Sequence, residues 1–185
     1  MVQLFKILRF LAFSLTGLFC ATVSGQELPP IQNYGTLDYG GEYQNWAISQ
    51  SVSKKIYVAN HTSLLEFDGV RWKGYKLPEE TIIRSVKAVG DRIYTGCYGE
   101  FGYWTRDLKG LLQYTSISDA FEDRLLDNEE FWDIQVFDSS VLFQSLDRIY
   151  IYDLEAESLS IIEAKTEKAK LFALGSKVYF QKNRG

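Results

Sequence analysis

The chain has 185 residues, of which 46% are apolar, 24% charged and 15% aromatic. This composition excludes a disordered, collagen-like or multi-span membrane protein and fits a globular chain of about one domain. The formal charge of −4, from 24 acidic and 20 basic residues, argues against a nucleic-acid-binding surface in this segment, because phosphate binding needs clustered Lys and Arg.

The first 25 residues have the features of a secretory signal peptide. Lys6 and Arg9 form a small positive region, and residues 10–23 follow without a single charge. That run is too short for a membrane-spanning helix, which needs about 20 residues, but it suits the apolar part of a signal peptide. We place cleavage near Gly25 and expect an exported chain. A retained membrane anchor is the alternative.

The chain has two cysteines. A lipoprotein attached through Cys20 is disfavoured because Phe19 stands where a lipobox has a small residue. Removal of the leader leaves Cys97 without an internal disulfide partner, so the exported domain must be stabilised by its core. Cys97 lies in an apolar segment, and we expect it to be buried and unreactive.

A repeat of about 41 residues runs along the chain, as expected for repeat architectures. Three segments align without gaps over their first half, which makes Trp46, Ile83 and Phe131 equivalent. A fourth segment begins at residue 168. Equivalent strand residues are spaced by 37, 48 and 37 positions, and they are Ile56, Ile93, Val141 and Val178.

Each repeat contains four short segments of alternating polar and apolar residues, separated by polar turns such as Asp68-Gly69. Four antiparallel strands per unit of this length are typical of a β-propeller blade. We therefore predict an all-β chain with about three and a half blades, an incomplete fragment of a larger propeller. The predicted blades span residues 44–77, 82–117, 131–163 and, incompletely, 168–185.

Residues 118–130 form an acidic insertion that lengthens one repeat, and we expect a loop or one short helix there. The alternative to a fragment is a complete four-bladed propeller. That alternative would need closing strands from residues 28–40.

The repeat resembles the two-component-regulator propeller repeat. The resemblance rests on Ile56–Asn60, on the segment 64–69 that ends in Phe-Asp-Gly, and on Arg71 and Trp72. Residues 44–50, 82–86 and 94–104, with the leader segment 28–34, are similar to the N-terminal propeller of a Bacteroidetes regulator family. The resemblance covers residues 26–185.

The family layout implies a role in signal transduction. Its members have a signal peptide, a large periplasmic propeller region, a triple-tyrosine domain, one membrane helix and a LuxR-type helix-turn-helix. Relatives carry a histidine kinase instead. The resemblance therefore implies the periplasmic region of an inner-membrane protein, with the remainder of the same chain as a partner. DNA would be bound only by a C-terminal domain outside this sequence, and a homodimer is a further candidate assembly.

The residues favour a non-catalytic segment without cofactor or metal. His61 is the only histidine, so a catalytic triad is possible only through it. Cys97 is the only thiol beyond the leader, which excludes a zinc site built from cysteines. No phosphate-binding glycine loop is present. Paired acids such as Asp127 and Glu129 could serve an exported lyase or glycosidase, which stays open as an alternative beside a protein-interaction scaffold.

One propeller face collects the loops that join the second strand to the third and those that enter the first strand. Aromatic, amide and charged groups there could stack on and hydrogen-bond a sugar or another small periplasmic ligand. The predicted ligand-binding residues are Asn45, Asn60, His61, Arg84, Tyr98, Glu100, Trp132 and Ser145. The alternative for Trp46, Tyr98, Trp104 and Trp132 is that they simply pack between blades.

Overall fold

The computed structural model describes residues 29–163, 170–174 and 177–180, together with Gln3, Phe5, Lys6 and Arg9. The chain divides into two compact units, Met1–Asn33 and Tyr34–Gly185. In the first unit the four described N-terminal residues are helical and exposed. The predicted uncharged run and its cleavage point lie outside the described residues. Every element below belongs to the second unit.

The second unit opens with a single helical turn, α1 (Thr36–Tyr39), which ends at Gly40 in the left-handed conformation. Described residues 29–44 contain no strand. The alternative of a small closed propeller therefore finds no closing strand in this segment.

In the described part of the chain, three four-stranded sheets and one two-stranded sheet follow, and in each the strands pair in chain order and antiparallel. The first sheet consists of β1 (Asn45–Gln50), β2 (Ile56–Asn60), β3 (Leu64–Phe67) and β4 (Trp72–Tyr75). The second consists of β5 (Ile83–Val89), β6 (Arg92–Cys97), β7 (Phe101–Arg106) and β8 (Leu112–Ser116).

The third sheet consists of β9 (Asp133–Phe137), β10 (Ser140–Gln144), β11 (Arg148–Asp153) and β12 (Ser158–Glu163). The last sheet pairs β13 (Leu171–Leu174) with β14 (Lys177–Phe180). We call these sheets blades one to four. Their number and strand order confirm the all-β fold class predicted from the repeat.

The blades pack face to face, because a strand places successive side chains on opposite faces of its sheet. Ile93 of β6 belongs to the core between blades one and two, with Tyr57 and Ala59. Its neighbour Tyr94 belongs to the core between blades two and three, with Phe143. Each middle blade is thus apolar on both faces.

The hairpin between the third and fourth strands is built in the same way in three blades. An aspartate carboxylate accepts two backbone N–H groups of the turn: Asp68 from Val70 and Arg71, Asp107 from Lys109 and Leu111, Asp153 from Glu155 and Ala156. These backbone donors lower the pKa of Asp68 and Asp107. The turn chemistry therefore repeats even where the flanking strands diverge.

The insertion forms a 3-10 helix, Ser118–Arg124, folded against the third blade. Phe121 and Leu125 pack on the core between blades two and three, and the Arg124 side chain donates to the carbonyl of Leu159 over 2.7 Å. Cys97 is fully buried, and burial raises the pKa of its thiol well above the usual value. The expectation of a buried cysteine is confirmed.

The close approach of blades two and three at Gly96 gives a first prediction. A Cβ atom at this position would lie 2.7 Å from Cβ and 2.8 Å from the carbonyl oxygen of Phe131. Gly96→Ala should lower the free energy of unfolding by about 1–3 kcal/mol, the range for overpacked cores. Gly74→Ala is the matched control, since its Cβ would meet nothing nearer than 3.4 Å. Equal losses for both variants in urea unfolding would contradict this packing.

Candidate functional site

The innermost strands of blades one and two each begin with a β-bulge. In blade one the pairing passes from Asn45 to Ala47 and leaves Trp46 unpaired. In blade two it passes from Ile83 to Ser85 and leaves Arg84 unpaired. A bulge redirects its side chain and is frequent beside binding sites. These two side chains therefore leave the regular alternation of their strands.

Blade three supplies the equivalent position, and the described pairing of β9 with β10 is regular throughout. The Trp132 N–H donates to the carbonyl of Gln144 over 2.7 Å, and the regular ladder begins one residue later with Asp133 opposite Gln144. Trp46, Arg84 and Trp132 thus hold the same place, one residue before the first regular ladder pair, in three consecutive blades.

This register corrects the gapless alignment, which made Trp46 equivalent to Ile83 and Phe131. Ala47 pairs with Ala59, which lies three positions after Ile56. In the next two blades the equivalent pairing residues of the first strand are Ser85 and Asp133. Blade one therefore has one extra residue between its paired positions. The extra residue lies before β2 and shifts every earlier position of blade one by one.

The three equivalent side chains stack on one another, and we call them the Trp–Arg–Trp cluster. The Arg84 guanidinium carbon lies 4.2 Å from the ring centroid of Trp46 and 4.7 Å from that of Trp132. The two indoles meet edge to face, with centroids 5.7 Å apart. A guanidinium on an aromatic face is held by a cation–π attraction. The cluster therefore joins the inner strands of three blades at one end.

Two further side chains complete the site. Arg84 donates from Nε and Nη2 to Oε1 of Glu130, over 3.2 and 2.7 Å, so the guanidinium charge is balanced within the site. The His61 ring lies 6.5 Å from the Trp46 ring, centroid to centroid. Trp46 is 37% exposed, whereas the side chain of Arg84 is only 11% exposed. Trp46 thus forms the solvent-facing side of the site.

Three buried polar atoms of these side chains have no hydrogen-bond partner within the part of the chain that the structure describes: Nη1 of Arg84, Nε1 of Trp132 and Nδ1 of His61. A buried polar group without a partner is destabilising and uncommon in native proteins. Guanidinium and indole nitrogens can only donate. The site therefore has donors available for an acceptor.

The structure gives two of the predicted ligand-binding residues a structural role. Asn60 is fully buried, and its amide donates to the carbonyls of Glu42 and Gln44 and to Oδ1 of Asn45. Ser145 is also buried, and its hydroxyl accepts the Arg148 N–H over 2.9 Å. Both side chains hold loops in place, so we do not include them in the candidate site.

Tyr98 and Glu100 line a different cleft of about 310 Å³, between blade two and the insertion. None of the cluster side chains lines it. Glu100 accepts a hydrogen bond from the Thr81 hydroxyl over 2.9 Å, and Tyr98 donates its own to Oδ1 of Asn128. Burial is the main cause that raises the pKa of Glu100, and the nearby Asp119 adds to it. The predicted ligand-binding residues therefore do not form one site, because some lie at the Trp–Arg–Trp cluster and others line this cleft.

The predicted ligand-binding residues include Arg84, Trp132 and His61, but not Trp46, which was considered only as packing between blades, and not Glu130. The missed signal was the extra residue in the first repeat, which hides the equivalence of Trp46 with Arg84. Within the described residues no three His, Cys, Asp or Glu side chains are placed to hold a metal ion. No helix of the described part has the length and apolar character needed to cross a bilayer.

No protein-family profile and no curated protein matches the chain. Its fold is similar to two solved extracellular domains from B. thetaiotaomicron. That of BT4673, described as a one component system, is 14% identical over 80% of this chain, with a TM-score of 0.62. That of BT3049, described as a hybrid two component system, is 16% identical over 80% of this chain, with a TM-score of 0.64.

The β-propeller domain of Myceliophteria thermophila Cps50 (Swd1) is also similar, at 9% identity over 71% of this chain and 46% of its own, with a TM-score of 0.53. At these identities the similarity concerns the fold, and it confirms a partial β-propeller. The chain spans only 22% and 23% of the two Bacteroides domains.

The hydrogen bonds of Asn60 give a second prediction. Asn60→Ala removes the hydrogen bonds of this side chain with the carbonyls of Glu42 and Gln44 and with the Glu42 N–H, and each such bond contributes about 0.5–1.5 kcal/mol. We expect a loss of at least about 2 kcal/mol in urea unfolding. Asn45→Ala removes one acceptor on an exposed side chain and should cost about 1 kcal/mol or less. A near-neutral Asn60→Ala would show that the loop does not depend on this amide.

The pKa of Glu100 gives a third prediction. Since the folded-state pKa is raised, the contribution of Glu100 to stability is fully present below its unfolded-state pKa and is lost as the pH rises through the folded-state pKa. Glu100→Gln mimics the protonated side chain. It should match the wild type in urea unfolding near pH 4 and exceed it near pH 7. A pH-independent difference for Glu100→Gln would refute this assignment.

Proposed function

We propose that the chain is part of an exported, periplasmic propeller that binds a ligand and signals through a membrane-spanning transcriptional regulator. In this proposal the segment itself is not an enzyme. The rest of the same protein supplies the membrane helix and a C-terminal helix-turn-helix of LuxR type.

The observation that carries the proposal is the Trp–Arg–Trp cluster. Three consecutive blades contribute equivalent side chains to one end of their inner strands, and the cluster includes donors without partners. Binding sites combine apolar or aromatic surface with a few fixed polar groups, and this cluster has both. A carbohydrate is the ligand class we favour, because indole faces pack against sugar rings while polar groups bond their oxygens.

Signalling by such a site requires two states. A ligand that binds one arrangement of the periplasmic region better than another shifts the population toward it, and the membrane helix would transmit that shift. A site formed by three blades is suited to this, because a ligand held by all three favours one relative placement of their inner strands.

The output module distinguishes two forms of the proposal. Extracellular domains of both a one component system and a hybrid two component system have the same fold. The helix-turn-helix form rests on the resemblance of the repeats to a regulator family. A hybrid histidine kinase is the second candidate, and the similarity to BT3049 supports it equally.

The contacts of the acidic residues support a binding role over a catalytic one. Glu130 is engaged by Arg84, and the buried Glu129 accepts hydrogen bonds from the Tyr150 hydroxyl and the Leu126 N–H. Acids committed to structural partners are poor candidates for paired acid–base work, which needs a freely titrating pair across a substrate.

A glycan array tests the proposal as a fourth prediction. The purified full-length protein should bind a defined set of glycans, and both Trp46→Ala and Arg84→Gln should weaken that binding at least tenfold. Arg92→Gln is the matched control, because Arg92 also stacks on an aromatic ring, Tyr103, at 4.5 Å, but lies outside the site. Urea unfolding checks that each variant is folded. Glycan binding that is equal in all variants would exclude this site.

A further inference from the structure

We propose that the Trp–Arg–Trp cluster recognises an acetamido group, so that the ligand is an N-acetylated saccharide. The inference rests on the proposed function, because it specifies the ligand of that same site. It follows from the hydrogen-bonding capacity, the charge and the apolar surface of the cluster.

The hydrogen-bonding capacity calls for an acceptor. Nη1 of Arg84 and Nε1 of Trp132 are buried donors without a partner within the described residues, and they belong to side chains that stack on each other. Neither nitrogen can accept a hydrogen bond. An oxygen that accepts without needing to donate, such as a carbonyl oxygen, satisfies them directly. A hydroxyl group would need an acceptor of its own in the same place.

The charge of the site favours a neutral acceptor. Glu130 engages Arg84 at two nitrogens and balances its positive charge. A ligand carboxylate or sulfate would meet the Glu130 carboxylate beside a guanidinium that is already paired. An amide carbonyl brings acceptor capacity without that repulsion.

The indole rings of the cluster offer an apolar surface for the methyl group of an acetamido ligand. Two indoles lie edge to face around the guanidinium, with centroids 5.7 Å apart. An acetamido methyl can pack on an indole face while its carbonyl oxygen reaches the neighbouring N–H groups. The two N–H donors thus suit the carbonyl of an acetamido group, and the aromatic face suits its methyl group. A sugar hydroxyl can use the donors but has no methyl group for the aromatic face.

The approach of the ligand involves Trp46. The unpartnered nitrogens are buried, while Trp46 is the exposed member of the cluster and lies on a bulge. Turning this indole away from Arg84 would uncover the guanidinium to the ligand. Trp46 is then the side chain whose surroundings change most on binding, and tryptophan fluorescence can detect that change.

The test uses four probes on the full-length protein: N,N′-diacetylchitobiose, cellobiose, glucuronate and acetyl-trialanine amide. Affinity is measured by calorimetry, and tryptophan fluorescence is followed in the same titrations. Diacetylchitobiose and cellobiose differ in the group of interest, since the first carries acetamido groups where the second carries hydroxyls. We expect diacetylchitobiose to bind at least tenfold more tightly, with a fluorescence change that Trp46→Phe abolishes.

Variants connect the preference to the cluster. Arg84→Gln should remove the preference for diacetylchitobiose over cellobiose, and Arg92→Gln should leave it intact. Trp132→Phe keeps an aromatic ring but removes Nε1, and it should reduce the preference at least threefold. A preference that survives both site variants overturns the assignment.

The remaining outcomes separate the inference from the proposed function. Equal binding of the two disaccharides, lost in Arg84→Gln, overturns the acetamido inference and leaves a saccharide sensor. Tighter binding of glucuronate overturns it in favour of an anionic sugar. Binding of acetyl-trialanine amide alone, or of none of the four probes, overturns the inference together with the saccharide class of the proposed function.

Discussion

Each middle blade of this protein is a single sheet with two apolar faces, and neither face can be buried within the blade itself. The second blade shows the constraint most clearly: Ile93 faces the core shared with blade one, and Tyr94 faces the core shared with blade three. Repeat proteins of this kind gain their stability from interfaces between neighbours. The close contact at Gly96 and the aromatic packing of Phe101 on Phe143, with centroids 4.4 Å apart, are consequences of that need.

The same constraint places the candidate site. Because neighbouring blades must stack, the inner strands β1, β5 and β9 begin side by side, and equivalent positions meet. Two bulges then turn Trp46 and Arg84 out of the strand alternation, so that they stack with Trp132 instead of entering a core. The site is therefore a product of repetition: one position, occupied by Trp, Arg and Trp, is presented three times.

Much of the fold could be predicted from the sequence, because the repeat fixes strand order and the polar turns fix where strands end. Asp68-Gly69 was recognisable as a hairpin, and the structure places the same aspartate turn at Asp107 and Asp153. The site could be predicted only in part. Asn60 has the polar chemistry of a ligand residue, but burial and six side-chain hydrogen bonds to neighbouring residues assign it to the loop.

The equivalence of Trp46 with Arg84 could not be found by aligning residues, since a single extra residue before β2 conceals it. Hydrogen-bond register reveals it, and register depends on pairing partners that a sequence does not display. Likewise, the pairing of Glu130 with Arg84 joins residues 46 positions apart. Such contacts arise from the stacking of whole blades, so local sequence patterns do not predict them.

The most direct test of the central claim, that three blades form one ligand site, is a crystal structure of the full-length protein with diacetylchitobiose. The account predicts ligand density against Trp132 and Arg84, with the acetamido oxygen within hydrogen-bond distance of Nη1 and Nε1 and Trp46 displaced from its stacked position. Density confined to another surface, with the Trp–Arg–Trp cluster unchanged and covered by a further blade, would contradict it.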